Sequence, residues 1–183
     1  MIRINRENLR YTLLAVMGNR SDLIDEFLKA LESAPDFYNT LGGWMQGTAD
    51  LSGPEESEEF KKALGCFFRS SVILLGVLYR GNGKKFPKVS RTNFEAALDF
   101  LEKNNEGGLR EYLIKTTEGE VRDEWLKLFE ESTLDLGSKI VAGFGRAMLF
   151  VAAKAFIDAA EKELEADKQK VLQEARSIID NNK

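Results

Sequence analysis

The chain has 183 residues, 43% of them hydrophobic and 31% charged, which is the composition of a folded globular protein and excludes a disordered one. Its formal net charge of −4 excludes a protein that coats nucleic acid over its entire surface. It has no histidine, which removes Ser–His and Cys–His nucleophile pairs and the commonest metal ligand.

A single cysteine, Cys66, excludes an intramolecular disulfide. Its apolar neighbours predict a small buried core residue rather than a reactive thiol. The opening "MIRINRENLR" is too polar for a signal peptide, so a reducing, cytoplasmic setting is expected. With only three prolines, long helices are favoured.

Apolar residues recur at helical spacing along nearly the whole chain, predicting an all-α helical bundle. A first helix over 6–18 sets Leu9, Leu13 and Val16 on one face, with Asn5 as its N-cap. A second, over 22–33 behind Ser21, carries Ile24, Phe27, Leu28 and Leu31. A third, over 35–46, carries Phe37, Leu41, Trp44 and Met45. "QGTADLSGPEESE" breaks the pattern, and Pro54 with its following glutamates suits the first turn of a long helix over 55–80. That helix is apolar on most faces beyond Phe60.

"RGNGKKFPKVS" (80–90) punctuates the chain, and the pattern then begins again. Ser90 can cap a helix bearing Phe94, Ala97, Leu98 and Leu101. "KNNEGG" interrupts it before a short helix with Leu109, Tyr112 and Leu113. Val121, Trp125, Leu128 and Phe129 define the next helix. Ser132 and Asp135 form a Ser-x-x-Asp capping pattern before the second long apolar helix. The last segment adds a narrow stripe of Leu164, Val171, Ala175 and Ile178. It can continue that helix without a break, either folded back by a kink or projecting as an arm.

The recurrence predicts an internal duplication: a first helical half over 1–80, a basic linker over 81–90 and a second half over 91–183 that ends in the amphipathic segment. Shifting 6–28 by 85 positions yields six identities in 23, among them Asn8/Asn93, Leu13/Leu98 and Glu26/Glu111. The long apolar helices align at a shift of 77, which matches Arg69 with Arg146. A guanidinium inside an apolar run needs a carboxylate to satisfy its donors. The overlay therefore predicts two equivalent buried ion pairs, Arg69 with Glu26 and Arg146 with Glu111. The run 140–157 is 18 residues long and carries Arg146 and Lys154, so a buried core helix is expected and a stable membrane span is not.

Arg80, Lys84, Lys85 and Lys88 form the only sizeable positive cluster in an acidic chain. They are the candidate contacts for an anion, a phosphate backbone or an acidic partner. No zinc, EF-hand, Walker or dinucleotide pattern is present, and no catalytic constellation, metal site or cofactor is expected. The expected function is therefore a non-catalytic helical interaction or assembly protein that binds a protein partner or itself. The alternatives are a nucleic-acid-contacting subunit of a nucleoprotein assembly using 80–88, and a carrier of an apolar or anionic ligand.

Overall fold

The computed structural model describes residues 1–18 and 20–181, with side chains up to Ser177. The chain is all-α, 82% helical, and folds as a helical bundle. Helices α1 (Arg6–Met17), α2 (Ser21–Glu32), α3 (Pro35–Asp50) and α4 (Glu58–Gly81) precede the loop. Helices α5 (Arg91–Thr116), α6 (Arg122–Thr133) and α7 (Lys139–Asn181) follow it, with a 3-10 turn at Leu134–Leu136 before α7. Two short strands, β1 (Ile2–Arg3) and β2 (Thr117–Glu118), pair in parallel.

The predicted starts hold where a side chain can reach back to the first turn. Asn5 Oδ1 accepts the Asn8 N–H at 2.8 Å, and the Ser90 N–H donates to Asn93 Oδ1 at 2.9 Å. The interruption at "KNNEGG" is a kink at Asn105, whose φ is +55°. Asparagine tolerates positive φ because its short amide bonds locally, and here Asn105 Oδ1 accepts the Gly107 N–H at 2.8 Å.

Ser21 is the first residue of α2 and not its cap, which is Arg20, and three further boundaries differ from the periodicity. Helix α3 runs on through Gly47 to Asp50, and α4 starts only at Glu58, where Ser57 Oγ accepts the Phe60 N–H at 3.1 Å. Ser132 does not cap α7. It sits in the last turn of α6, where its hydroxyl meets Ser70 Oγ at 2.8 Å. Gly137, at φ +129°, and Ser138 instead lead into α7.

One contiguous apolar core draws on every helix and on both halves of the chain. Helices α4 and α7 touch at its centre. Each also receives helices from the other half: α6 packs on α4, and α3 packs on α7. Trp125 of α6 is fully buried against α4, and its indole N–H is satisfied by the Ile73 carbonyl at 3.0 Å. Cys66 is buried as expected, with Sγ 3.1 Å from the Ser132 carbonyl, and burial pushes its thiol pKa up.

The stretch 81–90 is packed onto the body, because Phe86 and Val89 are buried in the core. The reason is aromatic. Phe86 stacks on Tyr79 at 5.3 Å and packs against Phe27, Phe37 and Phe156 at 5.4–5.7 Å.

The β1–β2 ladder ties the N-terminus to the far side of α5, and the Ile4 N–H adds a 2.6 Å bond to the Glu118 carbonyl. Gly119 makes this approach possible. Its φ is +140°, and a Cβ there would fall on the Ile4 carbonyl. Gly119→Ala is therefore expected to destabilise the fold by about 1–3 kcal/mol, measured by urea denaturation. It should also raise hydrogen exchange at Ile4.

Candidate functional site

The four predicted cations do not form an open cradle for an anion. Arg80, at the end of α4, has a side chain only 10% exposed and lies 3.5 Å from Glu26 Oε2, with its guanidinium over the Tyr11 ring. Lys84 Nζ reaches the other oxygen of Glu26 at 2.9 Å. Lys85 Nζ meets Glu163 at 3.3 Å, and the Lys88 backbone N–H donates to the same carboxylate at 2.7 Å. Anchoring Phe86 in the core pulls the loop across α2 and α7, so each lysine is delivered to a glutamate. Of the four cations only the Lys88 side chain projects to solvent without one of these links, and the two carboxylates offset half of the cluster's positive charge.

The two predicted buried ion pairs are both corrected. Glu26 belongs to Arg80 and Lys84, while Arg69 is 47% exposed and lies 4.0 Å from Asp135. Arg146 does bind a carboxylate, but its partner is Glu106, at 2.6 Å, and the pair is half-buried. Glu111 points outward beside Lys115. The kink at Asn105 explains the substitution. It starts a new helical segment at Glu106, which meets Arg146 in its first turn, while Glu111 lies more than a turn further along.

The buried charge in the apolar helix is Lys154, two turns beyond Arg146. Its side chain is 9% exposed. Its Nζ donates to Asp158 Oδ2 at 2.8 Å and lies 4.0 Å from the centre of the Tyr112 ring and 5.0 Å from that of Phe100. The Tyr112 hydroxyl donates to the other oxygen of Asp158. Burial, reinforced by that bond and the carboxylate charge, drives the Tyr112 phenol far above its ordinary pKa, so it remains a donor. Every polar group in this cluster is satisfied within the fold, which makes it a structural clasp between α5 and α7. The i,i+4 spacing of Lys154 and Asp158 was the available sequence signal.

Two features bear most directly on what the protein could bind. The first is a cavity of about 260 Å³ between α2, α3 and α4, walled by Phe27, Leu31, Leu41, Met45, Phe67 and Phe68. Gly42 also lines it, and a Cβ added there would meet open space.

The second is the far end of α7. The helix is unbroken over 43 residues, about 65 Å at 1.5 Å per residue. Its apolar face is buried in the core up to Ala160. From Glu161 to Ser177 every described side chain except Glu163 is exposed, including Leu164 at 48%, Val171 at 63% and Leu172 at 51%. Of the two outcomes open for this segment, the projecting arm is the one observed. The predicted stripe position Ile178 falls outside the described side chains.

Helices α4 and α7 are both apolar and long enough to cross a membrane, yet 72% of each such window is buried inside the fold. No protein-family model, curated protein or solved structure matches the chain.

Proposed function

We propose that this protein is a non-catalytic interaction or assembly protein whose docking element is the C-terminal arm of α7. The observation that carries the reading is the continuity of that helix beyond its own core. A helix exposed on all sides gains nothing from packing, which supplies most of the stability of a protein helix. Leucine and valine left half to two-thirds exposed along one stripe gain most from a partner helix. The test is photo-crosslinking in the cells that make the protein, with a photoreactive residue in place of Val171. Adducts with any protein chain support the reading, and a complete absence of adducts ends it.

The cavity behind Gly42 favours a second reading, carriage of a compact apolar ligand. Glycine inside a helix costs about 1 kcal/mol relative to alanine, and no neighbouring chain atom within 4 Å requires it at Gly42. Gly42→Leu should fill the cavity, raise stability by about 1 kcal/mol in thermal unfolding, and abolish uptake of an apolar fluorescent probe. Equal probe uptake by both proteins would remove this reading. The loop 80–88 supports a polyanion contact less well, since such a ligand would have to displace Glu26 and Glu163.

The internal duplication is part of the same proposal. Its support is positional. The kink at Asn105 falls 85 residues after the break at Arg20 that separates α1 from α2. Ile4/Val89, Leu9/Phe94 and Thr12/Ala97 are each buried in both copies. The β1–β2 ladder, in contrast, has no counterpart at the matching positions among the described residues. Superposing 6–28 with 61–79 onto 91–113 with 138–156 tests it, and unrelated helix directions would end it.

A further inference from the structure

We infer that the occupant of the arm is the arm of a second copy of this chain, laid antiparallel along it. The inference rests on the reading of the arm as a docking element and goes further by naming the partner and its direction. Leu164, Lys168, Val171, Leu172 and Ala175 share one face of α7, as their helical spacing requires. Up to Ser177 the root of the arm is net acidic, with Glu161, Glu163, Glu165 and Asp167 against Lys162, and the outer part is net basic, with Lys168, Lys170 and Arg176 against Glu174. Such an uneven strip complements itself only when reversed.

Flank geometry gives the direction in detail. Glu165 and Arg176 are separated by about three helical turns, so they border the apolar face on the same side. In an antiparallel pair, equivalent flanks meet, and the two-fold axis falls near Val171. Glu165 of each copy then meets Arg176 of the other, twice per dimer, while Val171 packs on its own symmetry mate. A parallel pair instead sets Glu165 beside Asp167 of the other copy at nearly equal height, a like-charge contact. The opposite flank, with Asp167, Lys170 and Glu174, is mixed and favours neither direction. Glu163 takes no part, because it is held by Lys85 and the Lys88 N–H of its own body.

Sedimentation equilibrium of the purified full chain tests this, with circular dichroism to check that each variant is folded. Wild type should dimerise. Glu165→Lys alone, and Arg176→Glu alone, should each weaken the dimer on the order of tenfold by turning two attractions into repulsions. An equimolar mixture of the two variants should recover wild-type affinity, because in the mixed pair the two introduced charges are opposite and face each other. Leu164→Asp with Val171→Asp should abolish association altogether.

A parallel pair gives the opposite sign, with Glu165→Lys tightening the dimer and the mixture showing no rescue, and would overturn the inference. A wild-type chain that stays monomeric at its highest soluble concentration would overturn it too. The crosslinking at Val171 separates the two levels: adducts only with other proteins overturn self-pairing and leave the arm a docking element, while adducts of two copies of this chain support both.

Discussion

Replacing Asp158 with alanine is expected to destabilise the fold by about 3–5 kcal/mol, because it strands a buried ammonium without its counter-ion. Lys154 is 9% exposed and sits against Tyr112 and Phe100, so solvent cannot replace the lost carboxylate. The same change leaves the Tyr112 hydroxyl without its acceptor. Lys154→Met should cost less, since Asp158 is 26% exposed and keeps both water and the Tyr112 donor. The double variant Lys154→Met with Asp158→Ala should recover most of the loss, because replacing both charges removes the desolvation problem at its source. Urea denaturation of the four proteins forms a double-mutant cycle. Additive single effects would mean that Lys154 and Asp158 act independently and that the clasp does not exist.

The contrast between Lys154 and Arg146 shows what periodicity could and could not supply. Helical spacing located every helix, because each carries enough apolar residues to define a face. It also placed the interruption at Asn105, where asparagine and two glycines leave a helix no good continuation. The partner of Arg146 was a different matter. Helix α5 carries five carboxylates, and the choice of Glu106 depends on the direction in which α5 restarts after the kink. The overlay assumed symmetrical partners and so selected Glu111. The overlay also paired Arg69 with Glu26, yet Glu26 is held by Arg80 and Lys84 from a loop whose path follows from Phe86. The β1–β2 ladder was invisible for a simpler reason, since two residues per strand carry no alternation. The arm was legible as a possibility in its narrow stripe, but whether the chain would kink depended on packing that no local signal records.

Phe86→Ala is expected to cost about 3–5 kcal/mol, the range for deleting a buried phenyl ring, and to release the loop that carries the basic cluster. Phe86 touches four rings drawn from α2, α3, α4 and α7, so its loss leaves a cavity where both halves meet. Phe86 is the aromatic link between loop and core, and Val89 is buried as well. Without it, the contacts of Lys84 with Glu26 and of Lys85 with Glu163 lose the anchor that brings the chain over those carboxylates. Hydrogen exchange in 82–90 should therefore rise more than in α4 or α7, and the Lys88 N–H bonded to Glu163 should lose protection first. Changing Lys84, Lys85 and Lys88 together to glutamine should cost about 1 kcal/mol or less, because exposed ion pairs contribute little. The ranking is the test. If the triple glutamine variant proves the less stable of the two, the loop is held by its charges, and the aromatic anchor is not what positions it.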